Sequence, residues 1–529
     1  MNSLFLLSLG MVVSLGVADD TQFYPFFEPV NPPRSLQAMA HRGASRQTPE
    51  NSAAALEFSI ADTVDWVEVD VRLTKDRRHV LFHDAELSGK TDGSGLVRDS
   101  TFDEIQKLDV GTKFAKRFAG LKILTLTEAL KLAKGRVNLY LDAKDIDPKL
   151  LVKDILDAGM ERQVVVYGGL DLIRAVREAS VGKVPVMTKW RPKTDPDAAK
   201  WANSVKPEAV EIDVSDVTKD AVRAFHSRGI KVQAKSLGEK DDRPEVWRTA
   251  SDAGVDWVQT DRAEEVVVST ILKGRGPLAS RKFRTKVSHH RFASRYAPEN
   301  TLAALEKSTG LGADFVEFDV RTTRDGGFVL LHDGTLNRTT TGKGPVRETT
   351  LGMVEALDAG SWFGTSYAGR KVPTLDQFLT AVANRVELYF DAKDIAPEAL
   401  AEALDRHGLT ERTVVYKGVD YLRKLKDVAP GVRRMPPLGS ATNIDAIIER
   451  VKPYAFDARW SIVNKELIDR CHARGVKVFS DALGLNDTVE AHERAIVAGI
   501  DLIQTDHPLR FLRALERAER ANSQSSEVR

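Results

Sequence analysis

The chain has a single cysteine, Cys471, among 529 residues, so no disulfide can form within it, and a lone thiol of this kind reads as a small core residue rather than a nucleophile. Charge of one sign is also missing. The formal net charge is +1 with 29% charged residues, which gives no reason to expect nucleic acid as a partner. Long apolar runs are absent apart from residues 4–17, which are too few to span a bilayer comfortably. With Gly16-Val17-Ala18 before Asp19-Asp20, residues 1–18 have the form of a secretory signal, although no Lys or Arg precedes the apolar run. Export to the periplasm or cell exterior is therefore expected, with no stable membrane span. The cysteine count is neutral on this point, and nothing in the composition sets an oligomeric state.

What is present is repetition. Residues 41–51, HRGASRQTPEN, return as residues 290–300, HRFASRYAPEN, at an offset of 249. Glu68 and Asp70 recur as Glu317 and Asp319, His83-Asp84 as His332-Asp333, and Asp142-Ala143-Lys144 as Asp391-Ala392-Lys393, all in the same register. Thr260-Asp261 is answered by Thr505-Asp506 at an offset of 245, a small slip of the kind that altered loops produce. A repeat this long is a tandem duplication of a domain, not a solenoid of short units.

Each half is the size of one α/β barrel. In the first, strand-like runs at 38–41, 66–72, 79–83, 136–143, 164–167, 184–188, 210–214, 230–234 and 255–260 alternate with helix-like segments. That is nine runs where a closed barrel needs eight. Too few residues separate Arg72 from His79 for a parallel crossover, so this pair should form a hairpin, leaving one run surplus or the barrel distorted. Thr125-x-x-Glu128 and Thr374-x-x-Gln377 have capping-box spacing and place a helix before the strands that carry Asp142 and Asp391. Residues 85–122 and 334–371 are insertions after the His-Asp run, with short helix-like pieces near 102–108 and 351–357. The expected fold class is α/β, two tandem TIM-type (β/α)8 barrels. The domains would be 37–272 and 287–514, joined by a solvated basic linker, 273–286, and followed by a tail, 515–529, with residues 511–521 reading as a charged helix and 522–529 as frayed.

Alternation along 66–72 sends Glu68 and Asp70 to one face, and the same period puts Asp142 and Lys144 on one face of 137–144. Carboxylates forced together need compensation by a cation, a shared proton or a strong donor. Repetition of the set as Glu317, Asp319, Asp391 and Lys393 argues against a merely solvated face. Three oxygen donors without Cys favour a hard divalent cation, Mg2+ or Ca2+. His41 and His83, with His290 and His332 as their echoes, sit at strand ends and are candidate proton carriers; the hairpin would bring His83 beside Glu68. Arg42 and Lys144, and Arg291 and Lys393, add fixed positive charge suited to a phosphate. Together these groups suit an anionic phosphoester.

In order, the HRG, PEN, Glu-x-Asp, TKDG-like turn with HD, and carboxylate-x-Lys motifs of each half resemble those of the glycerophosphodiester phosphodiesterases, from about Gln37 to Leu272 and from about Val287 to Ala514. The resemblance implies TIM barrels that use a divalent cation to hydrolyse small-molecule glycerophosphodiesters to sn-glycerol 3-phosphate and an alcohol. It casts His41, His83, His290 and His332 as acid and base. Arg42, Lys144, Arg291 and Lys393 become phosphate contacts, and Glu50 and Glu299 supporting groups. Glu68, Asp70, Asp142, Glu317, Asp319 and Asp391 become metal ligands. Whether water or the substrate's glycerol hydroxyl attacks phosphorus first stays open.

Three departures stand out. The third ligand is Asp rather than the family's usual Glu. Gly43 becomes Phe292, which is expected to bar the backbone conformation or the close substrate approach that glycine permits, leaving the second site altered or silent. The family's late Trp-Thr-Val-Asn-like strand reads QAKS at 233–236 and FSDA at 479–482. Conversely, residues 335–343 fit the family better than 86–95 do. Two other readings remain: a phospholipase-type barrel acting on intact lipids, and a catalytically lapsed binding or scaffold protein.

Overall fold

The structure, a computed structural model, describes residues 22–31, 33–273, 282–383 and 385–527, with side chains described as far as 521. The expected signal 1–18 and most of the basic linker lie outside the described residues.

Nine strands build the first half: β1 (Gln37–Ala40), β2 (Trp66–Leu73), β3 (His79–Leu81), β4 (Asn138–Asp145), β5 (Val164–Tyr167), β6 (Val186–Lys189), β7 (Ala209–Asp213), β8 (Lys231–Lys235) and β9 (Trp257–Thr260). All but β3 run parallel in the order β1-β2-β4-β5-β6-β7-β8-β9, and β9 returns to β1, closing an eight-stranded barrel. The surplus run is β3, which pairs antiparallel with β2 through Val71↔Leu81, Arg72↔Val80 and Leu73↔His79. The short connection permits only a hairpin, as the chain length predicts.

Met39, Trp66, Tyr140, Val165, Met187, Ala209 and Trp257 fill the barrel interior. Phe26, from the Pro-rich approach, meets Trp66 and Trp257 edge-on at ring distances of 5.3 and 5.2 Å and stoppers the N-terminal end. Outward-facing Val67, Val69, Leu139 and Leu141 pack under helices such as Leu126–Ala133. That helix starts on the Thr125–Glu128 capping box, and Leu375–Val382 starts on Thr374–Gln377. Each cap satisfies otherwise orphaned backbone donors and is worth about 1 kcal/mol.

The second half repeats the plan with β10 (Lys286–His289), β11 (Phe315–Thr322), β12 (Phe328–Leu330), β13 (Glu387–Asp391), β14 (Thr413–Tyr416), β15 (Arg433–Met435), β16 (Pro437–Leu438), β17 (Ala455–Ala458), β18 (Lys477–Asp481) and β19 (Leu502–Thr505). Its fifth barrel strand is split. β15 pairs with β14 and β16 with β17, because Pro436 and Pro437 have no N–H to give to the ladder. Bonds in the other direction, Tyr454 N to Arg434 O (2.9 Å) and Asp457 N to Pro436 O (3.0 Å), bridge the gap.

The last helix, Pro508–Glu527, is longer than the 511–521 stretch expected, and the presumed tail is helical to Glu527. Leu512, Leu515 and Ala518 explain this: they recur on one face and are buried in the core. The barrels dock through charged contacts. Arg295 reaches across to Asp62 (3.1 Å) and lies over the Phe58 ring at 3.6 Å, while Lys307 sits between Glu264 and Glu265, 2.5 Å from each. Arg117 of the first insertion lies over Phe363 of the second at 4.1 Å. No helix among the described residues is long and apolar enough to cross a membrane.

Candidate active site

At the C-terminal end of β1 the chain turns sharply, with Arg42 at φ 55° and Gly43 at φ 76°. A Cβ on Gly43 would lie 2.6 Å from the Ala55 Cβ, so the turn and the close helix Ala53–Ala61 both call for glycine here. The turn points the Arg42 N–H at Glu68 Oε2 (2.7 Å) and lets Arg42 Nη1 donate to Glu50 Oε1 (3.0 Å). Asn51, also at positive φ (55°), donates from Nδ2 to Asp70 Oδ2 (2.8 Å) and accepts from the Asp70 N–H (2.9 Å). Local strain of about 1–3 kcal/mol per such residue is held by these bonds.

β2 and β4 run in register with Glu68↔Tyr140 and Asp70↔Asp142. Glu68, Asp70 and Asp142 each place a carboxylate oxygen within 4.8 Å of the others, so the shorter aspartate still reaches the group. Lys144 Nζ lies 2.5 Å from Asp142 and 3.3 Å from Asp70. Burial, then the charges of Asp70 and Asp142, push the Glu68 carboxyl well above its ordinary range. Burial also raises Asp142, against the opposing pull of Lys144. Burial alone would lower Lys144, but Asp142 and Asp70 keep it above its ordinary value. The Lys144 ammonium and the Arg42 guanidinium, itself shared with Glu50, therefore do not neutralise three carboxylates, and a divalent cation fits both the charge deficit and the oxygen donors.

His41 donates from Nδ1 to Asp261 Oδ1 (2.8 Å), and its Nε2 lies 3.9 Å from Glu68 Oε2. Burial would raise Asp261, but the bond and charge of His41 hold it below its ordinary value. The β2–β3 hairpin delivers His83: Phe82 N donates to Asp70 O (3.0 Å), and Arg72 donates from Nε and Nη2 to His83 O (2.9 and 2.6 Å). His83 Nδ1 bonds Asp84 Oδ1 (2.7 Å), which lowers the Asp84 carboxyl. With Nδ1 engaged, each imidazole leaves Nε2 for chemistry. Asp261, Asn51 and Arg72 were not singled out as site residues from the sequence; their recurrence as Asp506, Asn300 and Arg321 was the available signal.

The second barrel repeats this geometry. His290 bonds Asp506 (2.8 Å), His332 bonds Asp333 (2.8 Å), Arg291 N donates to Glu317 (2.8 Å), and Asn300 donates to Asp319 (2.8 Å). Glu317, Asp319 and Asp391 form the matching carboxylate group, and Arg291 bonds Glu299 (3.1 Å). Asp319 Oδ1 is buried without a hydrogen bond, with Lys393 Nζ 3.1 Å away. Burial, Asp319 and Asp391 raise Glu317 as their counterparts raise Glu68.

The expectation for Phe292 is corrected. It keeps the glycine-like φ, at 65°, and its ring turns away from the mouth into the apolar layer beside Phe318 and Phe378, 1% exposed. It bars neither the turn nor the approach to the site; the cost is backbone strain offset by burial of an aromatic ring.

Each mouth is walled partly by the other barrel. A cavity of about 410 Å³ beside His83 is lined by Ser45, Glu50, Lys90 and Phe114 and by Thr365 and Ser366 of the second insertion. The hollow beside His290 is bordered by Gln47, Phe58 and Arg117 of the first barrel.

This arrangement of paired histidines and grouped carboxylates at the mouths of parallel barrels has known relatives. The model of the glycerophosphoryl diester phosphodiesterase family matches residues 41–265 and again residues 290–510. The chain belongs to this family. It is a phosphodiester hydrolase built as a tandem of two family barrels, of the glycerophosphodiester phosphodiesterase class. A glycerophosphodiester phosphodiesterase from Caldanaerobacter subterraneus subsp. tengcongensis is 33% identical over 241 residues, covering 42% of this chain and 95% of that protein. One from Bacillus subtilis is 30% identical over 244 residues, 41% of this chain and 82% of its own length. Among solved structures, the Agrobacterium tumefaciens glycerophosphodiester phosphodiesterase is 30% identical with a TM-score of 0.41, covering 43% of this chain and 99% of its own. An Oleispira antarctica phosphodiesterase in complex with the product sn-glycerol-3-phosphate is 26% identical with a TM-score of 0.41, covering 44% of this chain and 96% of that one.

Proposed function

We propose that both barrels hydrolyse glycerophosphodiesters to sn-glycerol 3-phosphate and an alcohol, each at its own complete site. The observation that carries this is the pairing, made twice, of an Asp-held imidazole with buried carboxylates: His41 beside Glu68, and His290 placed likewise by Asp506.

Glu68, Asp70 and Asp142, and Glu317, Asp319 and Asp391, would hold Mg2+ or Ca2+. When bound, the cation supplies positive charge that offsets the phosphodiester anion. Arg42 and Lys144, and Arg291 and Lys393, orient the phosphate. His41 and His83 divide the proton work: one takes the proton of the attacking water, or of the glycerol hydroxyl with water then opening the cyclic phosphate, as that oxygen bonds phosphorus, and the other gives a proton to the alcohol oxygen as its bond to phosphorus breaks. Asp261 and Asp84 fix the tautomers. The same roles fall to His290, His332, Asp506 and Asp333. Residues 1–18 would direct the enzyme out of the cytoplasm, to substrates released from lipids.

The test is glycerol 3-phosphate release by wild type, His41→Ala, His290→Ala and the double variant, with and without chelator. Each single variant should keep part of the activity, and the double variant and the chelated enzyme should lose about 10³-fold or more. Turnover persisting in the double variant would refute both assignments.

A further inference from the structure

Strand register pairs the positions on the far side of the two mouths. Lys189 stands opposite Glu211 in the first barrel, and Pro437 stands opposite Asp457 in the second. Lys235 lies opposite Gln259, and Asp481 opposite Gln504. One carboxylate is thus matched, Glu211 by Asp457, while one lysine has become proline and the other aspartate.

The matched carboxylates live in different surroundings. Glu211 accepts hydrogen bonds from the Tyr140 and Tyr167 hydroxyls, both 3.2 Å, and Lys189 Nζ lies 3.5 Å from it and 2.5 Å from Asp213. Among the described residues, Tyr389 and Tyr416, which occupy the corresponding places, make no such bond to Asp457. Asp481 Oδ1 is buried with no hydrogen-bond partner. Neither aspartate belongs to the carboxylate group that could hold the metal. The nearby cations are otherwise engaged: Lys393 pairs with Asp391 and Asp319, and Lys417, where the first barrel has Gly168, donates to the Lys393 carbonyl (2.8 Å). Arg459 lies exposed on the rim. Among the described residues, then, no Lys or Arg pairs with either carboxylate of the second mouth, and Asp481 lies within the influence of His290.

A glycerophosphodiester has two arms. The glycerol arm is neutral in every substrate, so charge can select only the alcohol arm. We propose that Asp457 and Asp481 make the second barrel selective for an ammonium-bearing alcohol, whereas the first, where Lys189 covers Glu211 and Lys235 stands in place of Asp481, has no such preference. The inference rests on the hydrolytic reading above and divides the substrate class between the two sites.

The test uses the full chain with one site at a time, His41→Ala leaving the second and His290→Ala the first. For each, kcat/KM is compared between glycerophosphoethanolamine and glycerophosphoglycerol. The His41→Ala protein should favour the ammonium substrate by about tenfold or more, and the His290→Ala protein should not. Adding Asp481→Lys to the former should cancel the preference, with Asp481→Asn as the milder exchange should lysine prevent folding. Adding Lys235→Asp to the latter should create one. Equal preferences in the two single-site proteins, a preference unmoved by Asp481→Asn, or an inactive second site beside an active first one would each overturn the inference. Absence of glycerol 3-phosphate from both proteins with both substrates would instead remove the two-site hydrolytic reading, and the inference with it.

Discussion

The two mouths agree where they would meet phosphorus and differ where they would meet the rest of the substrate. The His–Asp, Arg–Glu and Asn–Asp bonds repeat to within about a tenth of an ångström, 2.8 against 2.8, 2.7 against 2.8 and 2.8 against 2.8 Å. By contrast Lys189 and Lys235 give way to Pro437 and Asp481, and the small Gly89 to Arg338, which ties Glu299 to Asp333. Proton transfer tolerates little displacement, whereas a charge several ångströms from the reacting atoms can be exchanged while the chemistry persists. The duplication teaches which groups are bound to the reaction and which are free to set its scope.

The largest effect expected tests the agreement. Asp261→Asn in the His290→Ala background, and Asp506→Asn in the His41→Ala background, should each lower kcat about 10³-fold by releasing the imidazole tautomer. Unequal losses in steady-state kinetics would show that the two histidines are not equivalent. Next, Lys307→Met leaves Glu264 buried without its cation and Glu265 with Arg262 alone, and should cost about 3–5 kcal/mol in denaturant unfolding. An unchanged midpoint would mean that the barrels are not held together by this contact. Phe292→Gly removes a buried ring but relieves the backbone, for a net loss of about 2–4 kcal/mol. Gly43→Phe meets Ala55 and should destabilise by a similar amount; indifference to either exchange would show that the turns are interchangeable.

The last effect is graded by pH. His289, where the first barrel has Ala40, is fully buried without a hydrogen bond, and burial pulls its imidazole down to about 3. The native state then refuses a proton that the unfolded chain accepts below its ordinary value of 6.5. Stability from this group is complete above that value and falls with pH by about 1.4 kcal/mol per unit until the folded value is reached. His289→Ala should flatten the decline between pH 6 and about 4 in urea unfolding; identical slopes would remove the histidine from the account.

Much of this was legible in the chain because it depends on local spacing. The hairpin followed from the short gap between Arg72 and His79, and the two capping boxes from Thr and Glu or Gln three apart. The carboxylate group followed from alternation in β2 and β4. Groups assembled from distant segments were harder to see: Asp261 holds His41 across 220 positions, and no local pattern announces it. Phe292 was misjudged because the backbone sets which way a side chain leaves a turn, and the Phe318 and Phe378 that receive it lie far along the chain. The docking face was hidden because Arg295 and Lys307 resemble ordinary surface charges until their partners in the other barrel are placed.

One consequence of the split fifth strand concerns stiffness. The first barrel is an unbroken hoop, so a push on any strand is passed around the ring and shared. The second is a ring with fewer ties at Pro436 and Pro437, next to Asp457. With fewer ladder bonds at that point, the rim of the second mouth should yield more easily than that of the first, through two prolines outside its carboxylate group.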